Sequence, residues 1–185
     1  EELHMGERAL FIEHPADTSN RPNLGGMRPT DLPFADIGRM PAKIAGPYLH
    51  ELFQKAFIDG LHAPHLRPSA MDWETALVKT VDLIQPCPNP KCAQKWYVFD
   101  NSTAPACPFC GTAYKGLLPV LNLYSRRRAA DNYRPDNHRL MVYTDQYLYP
   151  WHVNRLIAPN EKLTPEQKKP VGYFVLHQGT WWFIN

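Results

Sequence analysis

All four cysteines of this 185-residue chain lie in one stretch, CPNPKCAQKWYVFDNSTAPACPFCGTAY, residues 87 to 114. Four residues separate Cys87 from Cys92, two separate Cys107 from Cys110, and fourteen lie between the pairs. A tight turn presents two thiolates to one tetrahedral cation far more easily than it closes a disulfide of good geometry. Two short pairs divided by a strand-length insert therefore predict a zinc site with Cys87, Cys92, Cys107 and Cys110 as ligands. Disulfides, or redox and catalytic thiols, are the other readings of the same residues. Four thiolates saturate Zn2+ and leave no position for water or substrate, so the expected role of the metal is structural. A ribbon this small buries too little apolar surface to fold alone, and chelation would supply the missing free energy.

The elements around the cysteines follow from local patterns. KWYVF is a run of β-formers and DNSTAP a run of turn-formers, which predicts strand, turn, strand with one knuckle at each base. Upstream, GPYLHELFQKAFIDG sets Leu49, Leu52, Phe53, Ala56 and Phe57 at helical spacing, with Pro47 near the start and Gly60 past the end. A second helix is predicted in SAMDWETALVKTVDLIQP: Ser69 caps it, Asp72 and Glu74 suit its N-terminus, and Trp73, Leu77, Val81 and Ile84 line one face. Pro86 would stop it just before the first cysteine. Prolines crowd the first third of the chain, so that segment is expected to be an extended arm packed through Leu10, Phe11, Ile12, Leu32, Phe34 and Ile37. Beyond the ribbon, GLLPVLNLYS, RLMVYTDQYLYPWHV and PVGYFVLHQGTWWFIN read as strands separated by polar turns. The fold class is therefore α+β. Its expected organisation is a Pro-rich arm with two helices over 1–86, a zinc β-ribbon over 87–116 and an antiparallel β-domain over 117–185.

Composition narrows the function classes less than the motifs do. The hydrophobic share of 44% supports a real core, and the net charge of +2 does not by itself point to nucleic acid or a membrane. No apolar run spans a bilayer and the first twenty residues lack signal-peptide character, so thiols used for metal suggest a reducing cytoplasm. The chain opens at Glu1 rather than at Met, as a piece of a longer protein would.

The segment LHELFQKAFIDGLHAPHLRPSAMDWETALVKTVDLIQPC resembles the last two helices of a protein-kinase C-lobe, where LxxLFxxAF leads through a loop carrying RPSAxxW into the closing helix. Together with LFIEHPADTSNRP, the Cys-rich ribbon and the ending WHVNRLIAPNEKL to GTWWFIN, most of the chain resembles the C-terminal region of bacterial protein kinases encoded in tellurite-resistance gene clusters. That resemblance implies that Arg67 reaches a Glu of the activation segment and that Trp73 packs the closing helix onto the lobe. It also implies a group of partners, a von Willebrand factor A domain protein and a protein phosphatase, with the zinc-containing part as docking module. The chain departs from a kinase where catalysis would be: it has no Gly-rich phosphate loop, no ATP-positioning Lys strand and no APE motif. His14, Asp17, Asn20 and Asp36 echo a catalytic loop and a metal-binding Asp, but at the wrong spacing. Phosphoryl transfer by this chain is not expected, because those parts act together.

Other residues carry weaker signals. His62 and His65 flank Pro64 but lack a third ligand, and His152 and His177 read as ordinary hydrogen-bonded histidines. Asp100 and Asp136 are candidate carboxylates for the metal-dependent adhesion site of a von Willebrand A partner, and Asn154 and Arg155 candidate phosphate or partner contacts. Arg126, Arg127 and Arg128 beside Tyr124, with Trp96, Tyr97, Trp181 and Trp182, suggest the rival function of a nucleic-acid-binding zinc ribbon. Interspersed acids and the small net charge favour a solvated turn and core aromatics instead.

Overall fold

A computed structural model describes Phe11, residues 13–17 and residues 42–185. The chain forms two compact units, Glu1–Thr80 and Val81–Asn185. Apart from Phe11, the residues proposed to pack the Pro-rich arm lie outside the described residues.

In the first unit a 3-10 turn, Ala42–Ala45, runs through Gly46 (φ 88°) into α1, Pro47–Gln54. Proline suits that first helical position because its missing N–H has no helical partner there. The helix continues as one π turn, Lys55–Asp59, closed by a 2.8 Å bond from the Gly60 N–H to the Lys55 carbonyl. Phe57 stacks between Phe11 (5.8 Å) and Phe53 (6.0 Å), and Phe53 meets Trp73 edge-on at 5.4 Å. Trp73 belongs to α2, Ala70–Val81. That helix starts where its sequence says it should: the Ser69 N–H donates to the Asp72 carboxylate (2.8 Å), and the Asp72 N–H to the Ser69 hydroxyl (3.3 Å).

Arg67 secures the turn between the helices by donating from Nε to the Gly60 carbonyl (2.6 Å) and from Nη2 to that of Leu61 (2.8 Å). A Cβ on Gly60 would sit 2.6 Å from Arg67 Cγ and 2.9 Å from the Lys55 carbonyl oxygen. Gly60→Ala should therefore destabilise this unit by ~1–3 kcal/mol, as overpacking does, read as a lower urea midpoint at unchanged slope. An unchanged midpoint would mean that the Arg67 staple is loose.

The second helix ends earlier than its periodicity predicts. Leu77 and Val81 are exposed, and Ile84 lies not on a helix but in β1, Ile84–Pro86. Competing partners explain the stop: the Asp82 carbonyl accepts from the Met141 N–H (2.8 Å), the Leu83 carbonyl accepts from the Phe99 N–H (2.9 Å), and Leu83 is fully buried. Tertiary pairing overrides the helical pattern there.

The second unit holds seven strands, all paired antiparallel. β1 pairs with β2, Trp96–Val98; β3, Val120–Ser125, pairs with β4, Arg134–Met141; β5, Tyr147–Leu148, β6, Gly172–His177, and β7, Thr180–Ile184, form a three-stranded sheet in that order. A short helix, α3, Pro150–Val153, follows β5. Gln178 (φ 49°) and Gly179 (φ 78°) turn β6 into β7 through two left-handed residues, which suits the twist of a two-residue hairpin. Leu83, Gln85, Leu140, Met141, Val142 and Cys107 are the largest fully buried side chains. The architecture is thus mixed helix and antiparallel sheet, as α+β requires.

The ribbon is built differently from the expected strand, turn, strand. KWYVF pairs back onto Ile84–Pro86 and encloses the first knuckle, whereas the second knuckle sits inside a single bridge, Ala106 to Ala113. Pro105 and Pro108 carry no N–H for a ladder, so a long strand cannot form after DNSTAP.

Candidate metal centre

Each cysteine pair is shaped by its own backbone. In the first, Cys87 N–H donates to the Lys95 carbonyl (2.6 Å) and Cys92 N–H to that of Asn89 (3.0 Å), which bends the chain so that both thiols face inward. Lys95 takes a left-handed φ of 58° to close this loop. In the second, Gly111 N–H donates to the Cys107 carbonyl (2.8 Å) and Cys107 N–H to that of Thr112 (2.9 Å), with Gly111 at φ 70°. Glycine adopts that conformation without a Cβ penalty.

The two loops bring the four sulfurs within 4.8 Å of one another. Cys87 Sγ lies 3.6 Å from Cys110 Sγ and Cys92 Sγ 3.8 Å from Cys107 Sγ, and all four thiols are free. A tetrahedral cation with metal–sulfur bonds of about 2.3 Å requires sulfurs about 3.8 Å apart, so the group can hold one metal ion. Cys92 and Cys107 are buried with Tyr97, and Cys87 and Phe109 pack against them. Burial pushes the Cys87 thiol up to about 12 and raises that of Cys107, while the Thr112 hydroxyl at 3.3 Å holds the Cys110 thiol down to about 6. Binding of a cation to this set releases protons, because thiolates are the ligands.

A second buried polar group was not legible in the sequence. Asp82 accepts from His138 Nε2 (2.5 Å) and from His152 Nε2 (3.2 Å), and the His152 side chain is only 1% exposed. The Tyr149 N–H donates to His152 Nδ1 (3.1 Å), so the ring proton of neutral His152 sits on Nε2, pointing at the carboxylate. That tautomer leaves no lone pair for a cation, and the trio is a hydrogen-bonded clasp between distant chain segments. Burial raises the Asp82 carboxyl, but the hydrogen bonds from the two histidines outweigh it and hold the group below the ordinary carboxylate value. The partners stand 56 and 70 residues from Asp82, and no spacing rule joins them.

The other candidate residues separate into two places. Asp100 is exposed, with its carboxylate accepting from the Ser102 N–H (3.0 Å). Asp136 is half-buried and accepts from the Ser125 hydroxyl (2.6 Å), while Arg155 Nη1 donates to the same hydroxyl (3.3 Å). Ser125 precedes Arg126, Arg127 and Arg128, all exposed, so Arg155 and Asp136 join the arginine run and Asp100 does not. Asn154 is exposed and accepts from the Leu156 N–H (3.0 Å). His62 and His65 are exposed and, among the described residues, join no metal-capable group. His14 Nδ1 accepts from the Asp17 N–H (2.8 Å), a local turn, while Asn20 and Asp36 lie outside the described residues. Among the described residues, no helix is long and apolar enough to cross a membrane.

No protein-family model, curated protein or solved structure matches this chain.

Proposed function

We propose that this chain is a non-catalytic docking module of the cytoplasm, held in shape by a structural Zn2+ on Cys87, Cys92, Cys107 and Cys110. The observation that carries the reading is the convergence of four free thiols, two of them buried, within 4.8 Å of one another. An all-sulfur set suits zinc, and four protein ligands close the site to substrate. The bound ion would supply cross-linking and nothing else. The proposed organisation is a Pro-rich arm with two helices (1–86), the ribbon (87–116) and a β-domain (117–185).

The proposed partner is the von Willebrand factor A domain protein implied by the kinase-like segments, with a protein phosphatase as a further member of the same group. Support comes from the RPSAMDW segment, whose first three residues lead into α2, and from the packing of Trp73 on Phe53. Asp100 is the carboxylate with the better access to a partner's metal, because Asp136 is half-buried and bonded to Ser125. Sedimentation of the zinc-loaded chain with such a partner should give a one-to-one complex that weakens on Asp100→Ala and on removal of Mg2+. Failure to associate in either metal state would reject the partner. A complex indifferent to Asp100 would move the contact elsewhere.

A further inference from the structure

The β3–β4 hairpin ends in a tip, residues 126–133, in which every residue is exposed. The tip is ordered by its own bonds: Arg126 Nη1 donates to the Ala129 carbonyl (2.7 Å), Arg126 lies over the Tyr133 ring at 4.8 Å, and the Arg128 N–H donates to Asp131 (3.1 Å). Arg134 continues it at the start of β4, and Arg155 arrives from beyond α3 to touch Ser125 at its base.

Charge is concentrated here. Arg126, Arg127, Arg128, Arg134 and Arg155 share this tip and its base with two acids, Asp131 and Asp136, which leaves 15 basic and 16 acidic residues in the rest of the chain. Among the described residues, none of the five guanidinium groups pairs with a carboxylate. Asp131 is committed to the backbone of Arg128, and Asp136 bonds the Ser125 hydroxyl. A surface tuned for solubility alone interleaves its signs, and this one does not. Two tyrosines stand among the arginines with their rings in solvent, Tyr124 at 55% and Tyr133 at 61% exposure.

Unpaired guanidinium groups match phosphates, and exposed rings match unstacked bases. An acidic protein surface would satisfy the arginines but offers no flat partner for the two tyrosines. A duplex would satisfy the phosphate contacts but keeps its bases stacked on one another. We propose that this hairpin tip, with Arg155, binds single-stranded nucleic acid: the arginines track the sugar–phosphate backbone, and Tyr124 and the Arg126–Tyr133 stack receive bases. The proposal is independent of the protein partner above and uses a different surface from Asp100.

The test is fluorescence anisotropy of a labelled oligouridylate with the whole zinc-loaded chain. Contact with about four phosphates gives a salt slope near −3, so affinity should fall about 50-fold between about 50 and 200 mM NaCl. Replacing Arg127 and Arg128 together by Gln should weaken binding and flatten the slope by about 1.4. Tyr133→Ala should weaken binding about tenfold at unchanged slope, since stacking is uncharged. All three residues are exposed, so the melting temperature should hold and separate lost binding from lost folding. No binding at the low salt concentration overturns the proposal. So does equal affinity for polyglutamate, with the tyrosine variant unaffected, which would reassign the tip to an acidic protein surface.

Discussion

Stripping the metal from the reduced chain with a strong chelator should abolish cooperative folding of the ribbon, and Cys107→Ser should do the same without chelator. A zinc-bound four-thiolate peptide gains about 10–16 kcal/mol from the ion at neutral pH. Whole domains are stable by only about 5–15 kcal/mol, so little native ribbon survives that loss. Local packing makes the dependence sharper. The cluster of Cys92, Tyr97 and Cys107, with Phe109 beside it, is built on the sulfurs themselves, and β1 and β2 pair over only three residues each. Trp96 reports the event, since it packs edge-on against Tyr143 at 5.5 Å and its fluorescence should shift when β2 releases. Cys110 is exposed whereas Cys107 is fully buried, so Cys110→Ser should leave a three-thiolate site with weaker binding rather than no fold. Metal analysis should return one zinc per chain, and thiol titration should find four reactive groups only after chelation. A chelated chain that melts like the untreated one would show that the thiols hold no structural ion.

What the sequence disclosed depended on how far apart the cooperating residues are. The cysteine pairs and the Ser69–Asp72 cap are each settled within a few residues and could be read from the letters alone, whereas the Gln178–Gly179 turn, equally local, passes unread inside PVGYFVLHQGTWWFIN. The stop at Val81 could not, because what competes with the helix is supplied by Phe99 and Met141, well down the chain. KWYVF was legible as a strand, yet its partner was not: prolines on one side and the Lys95 turn on the other decide that it pairs backward. A small total charge likewise concealed the arginine tip, since an average over 185 residues does not register Arg155 returning to the loop of Arg126–Arg128. The Asp82 clasp is the extreme case, with each residue unremarkable in its own neighbourhood.

That clasp carries the second large effect. Asp82→Ala should cost the Val81–Asn185 unit about 3–5 kcal/mol, the penalty for breaking a buried charged contact by removing one side. The reason lies in His152, whose Nδ1 is committed to the Tyr149 N–H, so its Nε2–H can turn to no other buried acceptor once the carboxylate is gone. Asp82→Asn should cost less, about 1–3 kcal/mol, because one amide oxygen can still accept from one histidine while the other loses its partner. Acidity distinguishes the charged clasp from a merely well-packed one. The folded carboxyl titrates below its ordinary value of 3.8, so its contribution is fully present above that value and is lost as pH falls through the lower folded value. The gap between wild type and Asp82→Asn in urea denaturation should thus be open above about pH 4 and close below it, as the carboxylate charge is lost. Acid also protonates the thiolates, but it does so in both proteins, and the difference between them cancels that loss. A gap that stays open in strong acid would mean that Asp82 acts through shape alone, and that its charge does not join the two histidines.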